Sequence, residues 1–192
     1  MARPQEFNTS EALHQAMDLF WQKGYEATSL VDLLKAMGLS KSSLYATFGG
    51  KYELFVTAFD AYRAEREREA KVILNQGTAR EAITNMFQKI VGDARAGNSS
   101  RGCMSINQAV EMAPHDPEIR SRVLKDFALI EDMLTQTIER GQSEGSVKSI
   151  DEARKLARLL VLALPGLQVM VRAGSDTAML EQNLNLLLSI LD

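Results

Sequence analysis

The sequence predicts an all-α protein of about nine helices. Only four of the 192 residues are proline, and none lies between positions 5 and 113, so the turns that a β-sandwich or barrel needs are missing. Aromatic residues make up 6% of the chain, whereas the good helix formers Ala, Leu, Glu, Lys, Arg and Met are abundant. The overall balance, 45% hydrophobic and 24% charged, is typical of folded globular proteins.

Helical periodicity divides the first part of the chain into four helices. Ser29 and Ser40 are suited to cap two short helices, and Gly38 and Gly49 are suited to end them. The four predicted helices span 8–23, 30–37, 41–48 and a longer stretch that begins near 51.

The rest of the chain predicts five further helices. Thr78 and Glu81 form a capping-box pattern, and Asp116 before a proline marks another helix start. Gly141 and Gly145 are predicted to bracket a loop. A further loop is predicted at 95–102. The five helices are predicted at 79–94, 103–112, 117–140, 151–173 and 176–191.

A stretch of alternating charge, Arg63 to Ala70, lies at helical spacing in the fourth helix. Such a pattern is typical of a solvated helix that connects two packed regions. We therefore predict a division near residue 50, into segments 1–50 and 51–192.

Residues 28–52 carry the informative motif, because two short helices separated by Gly38-Leu39-Ser40 have helix-turn-helix spacing. A helix that enters the DNA major groove presents small or polar residues outward. In the second helix only Leu44 and Phe48 are predicted to point inward. The net charge of −3 gives no sign of a polyanion partner, but the stretch between Lys35 and Lys51 contains no acidic residue.

The sequence Gly-Leu-Ser-Lys-Ser-Ser-Leu-Tyr-x-x-Phe-Gly-x-Lys, within residues 8–60, resembles the DNA-binding domain of TetR family transcriptional regulators. The resemblance implies a helix-turn-helix domain over 1–50 and an effector-binding and dimerisation domain over 51–192. It also implies a homodimeric repressor that binds double-stranded operator DNA, while activation stays open. The family often has His or other polar residues where this chain has Ala46 and Thr47, so no operator sequence is predicted.

The same resemblance implies which residues contact DNA. Thr28 and Ser29 would bring a hydroxyl and a helix N-terminus to a phosphate, and Tyr45 and Lys51 would hold the backbone. The full expected set is Thr28, Ser29, Lys41, Ser42, Ser43, Tyr45, Ala46, Thr47 and Lys51.

The segment 151–191 is rich in Leu on more than one helical face, more than one small core requires. Because a repressor that binds two half-sites is a two-fold dimer, we predict that these two helices form an intermolecular four-helix bundle. The residues expected at the interface are Leu160, Leu164, Leu167, Met170, Leu180, Leu184, Leu187 and Leu188.

Segment 78–140 is where a small-molecule effector of unknown identity would bind, since helical bundles place ligand cavities between helices. The expected lining is Met86, Phe87, Cys103, Met104, Asn107, Phe127, Ile130 and Leu134, although each is also suited to ordinary packing. Cys103 follows Arg101 and Gly102, a setting that favours a reactive thiolate. The alternative is an inert cysteine packed as a small apolar residue.

Two other function classes compete with a DNA-binding regulator. A helical enzyme could use Cys103 and His115, but no third orienting residue is apparent, so we predict no enzyme. An adaptor without DNA affinity would leave the lysines unexplained. One cysteine excludes disulfides and multi-thiolate zinc sites, and we expect no cofactor or metal. Without a signal or membrane segment, we expect a cytoplasmic protein with no membrane partner.

Overall fold

The structure, a computed structural model, describes residues 8–95 and 101–192. Within those two ranges the chain forms nine α-helices and no strands, so the predicted fold class is confirmed. A final 3-10 turn, Ser189–Leu191, closes the chain. The helices are α1 (Thr9–Lys23), α2 (Leu30–Met37), α3 (Lys41–Phe48), α4 (Lys51–Leu74), α5 (Ala79–Arg95), α6 (Met104–Glu111), α7 (Pro117–Glu144), α8 (Ala153–Arg172) and α9 (Thr177–Leu188).

Side-chain caps fix the helix starts where the sequence places them. Ser29 accepts a hydrogen bond from the Asp32 backbone N–H, and the Asp32 carboxylate accepts one from Ser29 in return, a complete capping box. Thr78 and Glu81 form the same reciprocal pair at the start of α5. Asp116 accepts from the first free N–H groups of α7. These predicted caps are confirmed.

Helix α7 is longer than predicted, because it continues through Gly141 and ends at Glu144. Gly141 packs so tightly that an added Cβ would lie 2.5 Å from a methyl carbon of Val147 and 2.9 Å from Cβ of Ala79. The glycine therefore allows close helix packing there and does not break the helix. Gly145, with φ of 81°, ends α7 in the left-handed region.

The buried apolar residues form two hydrophobic cores. The first joins α1–α4 to residues of α6 and α7, including Met104, Ile119 and Val123. The second joins α5, α7, α8 and α9 with Leu74 at the end of α4. Helices α4 and α7 thus belong to both cores. The division near residue 50 stays a prediction, since the first core extends well beyond it.

The charged stretch of α4 differs from the expectation of a solvated connector. Tyr62 and Ala70 are buried, and the Arg63 side chain, only 20% exposed, pairs with Asp126 of α7 and with Asp60. The charged side chains of this stretch form ion pairs with other helices, and also with one another along α4. The predicted loop at 95–102 falls mostly on residues outside the described ranges. In the described ranges no helix is long and apolar enough to cross a membrane.

Candidate DNA-binding surface and effector cavity

Helix α3 is anchored by one side and exposed on the other. Leu44 is 0% exposed and belongs to the first core, whereas the Tyr45 ring is 47% exposed. The other exposed side chains of this helix are Lys41, Ser42, Ala46 and Thr47. The helix therefore presents the short polar face that insertion into a major groove requires.

A cluster of hydroxyl groups organises the start of α3. The Ser40 Oγ accepts a hydrogen bond from the Ser43 backbone N–H at 3.1 Å and lies within 2.9 Å of the hydroxyls of Ser42 and Ser43. Ser43 is half-buried and Ser42 is exposed. Of the two expected DNA contacts, Ser42 thus faces outward, while the Ser43 hydroxyl is held within the cap.

Lys51, the first residue of α4, lies next to the aromatic ring of Tyr25, a contact that no sequence pattern indicated. Its Nζ lies 4.3 Å from the ring centroid of Tyr25, a cation–π distance. Tyr25 also packs on Phe55 in the first core, with 5.0 Å between ring centroids. The ring therefore holds the ammonium group at the end of α4 closest to α3.

Thr28 differs from its expected role. Its side chain is 0% exposed and its hydroxyl donates a hydrogen bond to the Gly24 carbonyl at 2.6 Å, so the predicted hydroxyl contact with a phosphate is wrong. Ser29 is exposed and caps α2. A phosphate at this position would meet Ser29 and the N-terminus of α2.

A cavity of about 490 Å³ lies between α1, α4, α5, α6, α7 and α8. Of the predicted lining residues, it is lined by Met86, Cys103, Phe127 and Ile130. Phe87, Met104 and Leu134 are each 0% exposed and pack inside the two cores instead. These three predictions are wrong, because a Met, Phe or Leu at helical spacing fits core packing as well as it fits a cavity wall.

Asn107 lies elsewhere. It lines a second cavity, of about 430 Å³, between α1, α6 and α8, where its side-chain oxygen accepts from the guanidinium of Arg172. Asn107 therefore does not line the cavity of about 490 Å³, and its contact with an effector stays a prediction. Cys103, Ile106 and Gln168 line both cavities, so these three residues form the partition between them.

The sequence did not reveal most of the cavity wall. Trp21 comes from α1, within the expected DNA-binding domain, and Arg63 and Arg66 come from the charged stretch of α4. Its other polar residues include Lys89, Asp126 and Gln168. A wall built from several helices leaves no local pattern in the sequence. The alternating charges of α4 indicated a solvated helix and not a cavity wall.

Cys103 is a free, partly buried thiol in this wall. The Tyr62 hydroxyl lies 3.5 Å from its Sγ and accepts a hydrogen bond from the Met104 backbone N–H at 3.1 Å. Burial and the neighbouring thiol raise the pKa of Tyr62 well above its usual value. The phenol therefore stays protonated and holds the first turn of α6.

Helix α6 connects the cavity to the DNA-binding helices at both of its ends. Before it, the Trp21 indole N–H donates to the Gly102 carbonyl at 2.8 Å. At its last residue, the Glu111 carboxylate accepts from the backbone N–H groups of Tyr25 and Glu26 at 3.1 and 2.9 Å. The loop between α1 and α2 is thus hydrogen-bonded to the C-terminal end of α6, and other residues of α6 line the cavity.

A third contact follows α6. The Tyr52 hydroxyl of α4 donates to Asp116 at 2.8 Å and to Glu118 at 3.1 Å. Burial and these two carboxylates raise the pKa of Tyr52, so its hydroxyl stays protonated at neutral pH and remains a hydrogen-bond donor. The start of α7 is in this way joined to the start of α4, at the residue that follows Lys51.

The predicted dimer residues divide into two sets. Five are at most 8% exposed and form the chain's own second core, so their assignment to an interface is wrong: Leu160, Leu164, Leu180, Leu184 and Leu188. Leu167 and Leu187 are half-buried, and Met170 is 38% exposed. The exposed apolar side chains of α8 and α9 are instead Leu159, Leu162, Val169, Met170, Met179 and Leu186.

Of the two residues named for a possible enzyme, Cys103 lies beside the Tyr62 hydroxyl and His115 is exposed. The neighbouring acids have structural roles: Asp116 caps α7, and Glu111 binds the α1–α2 loop. Among the residues that the structure describes, no three His, Cys, Asp or Glu side chains form a group that could hold a metal ion.

Comparison with known proteins agrees with this architecture. Residues 12–58 match the family profile described as bacterial regulatory proteins, tetR family, and residues 77–187 match the tetracyclin repressor-like C-terminal domain. The HTH-type transcriptional regulator YezE of Bacillus subtilis (strain 168) is 33% identical, over the whole of both chains. The HTH-type transcriptional repressor ComR of Escherichia coli (strain K12) is 31% identical, covering 94% of this chain and 87% of ComR.

A solved structure extends the similarity to three dimensions. The TetR family transcriptional regulator CifR, complexed with a 26-base-pair double-strand operator DNA, is 27% identical with a TM-score of 0.87, over 99% of this chain and 100% of CifR. The exposed α3, the two cores and these matches lead to one conclusion. The chain belongs to the TetR family of bacterial regulatory proteins and is a DNA-binding transcriptional regulator.

Proposed function

We propose that the protein is a homodimeric repressor that leaves its operator when a small molecule enters the cavity of about 490 Å³. The observation that carries the proposal is the exposed polar face of α3, set on a rigid apolar anchor. Lys41, Ser42, Ala46 and Thr47 would face the groove, and Ser29, Tyr45 and Lys51 would contact phosphates. A cytoplasmic location belongs to the same proposal, since bacterial DNA lies there.

The exposed apolar strip on α8 and α9 supports the dimer. Leu162 and Leu186 are 75% and 74% exposed, and Leu159 and Val169 are 45% and 53% exposed. Several large apolar side chains exposed on one pair of helices indicate an interaction site. In a two-fold dimer the strip would meet its own copy and form the four-helix bundle, while the five buried leucines behind it hold each helix pair in place.

The contacts of α6 support the regulatory step. A ligand that pushes on Cys103 or Ile106 from the cavity side would move α6, and with it the carboxylate that holds the α1–α2 loop. Trp21 lines the cavity and is bonded to Gly102, so it would move as well. Since a ligand shifts an equilibrium only through its preference for one state, operator affinity falls if the ligand favours the displaced α6.

The DNA-binding part can be tested with the DNA upstream of the protein's own gene. We expect Tyr45→Ala and Lys51→Ala to weaken binding about tenfold or more each, and Lys51→Ala to reduce the salt slope by about one. Lys125→Ala, at an exposed lysine on α7, is the matched control and should bind normally. Anisotropy titrations at several salt concentrations would measure this, and full binding by the Tyr45→Ala, Lys51→Ala double variant would refute the proposed surface.

A covalent effector is a second candidate, and the position of Cys103 in the cavity wall favours it. An electrophile that entered the cavity would reach a thiol that contacts Tyr62. If Cys103 senses electrophiles, such a reagent releases the operator from the wild type and leaves Cys103→Ser bound. Equal responses of the two proteins would assign Cys103 to packing alone.

We also propose that the protein has no enzymatic activity, since its family comprises regulators.

A further inference from the structure

The effector cavity has mostly apolar walls and eight charged side chains among its lining residues. The apolar part includes Ile73, Ile90, Phe127, Ile130, Leu164 and Val171. At about 490 Å³ the space has the size of a pocket for a small organic molecule. These charges decide what kind of molecule fits, because a charge that loses water without gaining a partner is expensive to bury.

The four cations that line the cavity are already paired. Arg63 is bonded to Asp126 at 2.6 Å, and Arg66 to Glu69 at 2.7 Å. Lys89 lies 3.2 Å from both Glu69 and Asp93. The fourth, Arg101, pairs with Asp18 at 2.6 Å. An anionic ligand would therefore have to replace a carboxylate that the protein itself supplies.

The four acids of the wall are paired in the same way. Asp126 accepts from Arg63 and also from the Ser105 hydroxyl at 2.7 Å. Glu67 is bound to Lys71 of the next helical turn, while Glu69 and Asp93 share Lys89. Among the described lining residues four positive and four negative side chains thus cancel. A cationic ligand finds no unpaired carboxylate among them.

One polar side chain of the wall is different. Gln168 of α8 lines the cavity, and its amide forms no hydrogen bond with any residue that the structure describes. An amide offers both a donor and an acceptor. It lies in the partition that also contains Cys103 and Ile106 of the α6 region, so a ligand bound to it would contact the helix that leads to the DNA-binding helices.

We propose that the cavity binds an uncharged, mainly apolar organic molecule with one hydrogen-bonding group that pairs with the amide of Gln168. The inference rests on the proposed function only for the consequence of binding; the class of ligand follows from the ion pairs, the apolar walls and Gln168. The apolar part would occupy the space between Phe127, Ile130 and Leu164. Its polar end would point toward α6.

Three probes of one shape and different charge test the class: 4-phenylbutan-1-ol, 4-phenylbutanoate and 4-phenylbutan-1-amine. The protein has a single tryptophan, Trp21, and it lines the cavity, so its fluorescence reports binding directly, with calorimetry as a second readout. We expect the alcohol to bind about tenfold or more tightly than either charged probe. The inference would be overturned if the carboxylate or the amine bound as tightly as the alcohol or more tightly. It would also be overturned if none of the three probes bound at millimolar concentration.

A variant isolates the hydrogen bond. Gln168→Leu should weaken binding of the alcohol about threefold to tenfold and leave binding of butylbenzene, which lacks the hydroxyl, unchanged or improved. An equal loss for both molecules would show that Gln168 only shapes the cavity, and would overturn its assigned role. Ile130→Trp, which fills the cavity, should abolish binding of both, measured by calorimetry because this variant contains a second tryptophan. Circular dichroism melting curves confirm that each variant is folded.

Measuring operator affinity in the presence of the same probes separates this inference from the proposed function. If the alcohol binds through Gln168 and operator affinity does not fall, the class of ligand stands and its role as effector fails. If operator affinity falls with the carboxylate as strongly as with the alcohol, the cavity is the effector site and the class of ligand is wrong.

Discussion

The carboxylate of Glu111 accepts a hydrogen bond from the backbone N–H of Tyr25 across 86 positions of sequence. Its second oxygen accepts from the next N–H, that of Glu26. Glu111 is the last residue of α6, and Tyr25 lies between the first two helices of the DNA-binding region. One side chain therefore joins the helix beside the cavity to the helices that carry the recognition surface, and Gly24 next to it has no room for a Cβ, which would lie 2.8 Å from the carboxylate.

We expect Glu111→Ala to release the α1–α2 loop. Two charge-assisted hydrogen bonds to backbone donors are lost, so the free energy of unfolding should fall by about 1–3 kcal/mol. Amide hydrogen exchange should accelerate at Tyr25 and Glu26. Glu139→Ala, at an exposed carboxylate on α7, is the control and should leave those two amides protected. Unchanged protection in Glu111→Ala would mean that the loop is held by other contacts.

The dimer face can be distinguished from the core by changing residues on either side of the same helices. Leu162→Arg and Leu186→Arg should give folded monomers, because both side chains are exposed on the strip. Leu160→Arg places a charge in the second core and should unfold the chain. Leu124→Arg, at an exposed leucine of α7, is the control. Sedimentation velocity measures the outcome, and a dimer that persists in the Leu162→Arg, Leu186→Arg double variant would place the interface elsewhere.

Replacing Gly141 should test whether it is needed for close packing. An added methyl gains about 1 kcal/mol of helix propensity but meets a Val147 methyl at 2.5 Å, so Gly141→Ala should destabilise the protein by about 1–3 kcal/mol. Val147→Ala in the same chain should recover part of that loss. Urea unfolding of the two single variants and the double variant gives the coupling. Independent, additive effects would contradict a clash between these two residues.

The pH dependence of stability should include the cap of α5. Hydrogen bonds from the Thr78 backbone and hydroxyl lower the pKa of Glu81 below its usual value of 4.5. Its contribution is therefore present above pH 4.5 and is lost as the pH falls through the lower native pKa. The difference in unfolding free energy between the wild type and Glu81→Gln should shrink in that range, measured by urea unfolding at pH 7 and pH 3. A difference that does not change with pH would exclude an ionised cap.

Much of the architecture could be read from local chemistry. The capping residues Ser29, Ser40, Thr78 and Asp116 mark helix starts in the sequence and in the structure alike, because a cap involves residues only two or three positions apart. The helix-turn-helix motif is visible for the same reason. Its spacing, its turn glycine and its polar outer face all lie within one short segment.

The sites built by several helices could not be read in that way. On α8 and α9 apolar residues cover more than one face, so periodicity could not separate Leu160, which is buried, from Leu162, which is exposed. The cavity is lined by Trp21 of α1 and Arg63 of α4. Neither residue lies in a sequence pattern that indicates a binding site. The sequence by itself determined the helices, their caps and which face of α3 is polar and exposed. The tertiary structure alone decided which leucines became core and which residues line the cavity, because burial depends on the packing partners of a helix and not on its own periodicity.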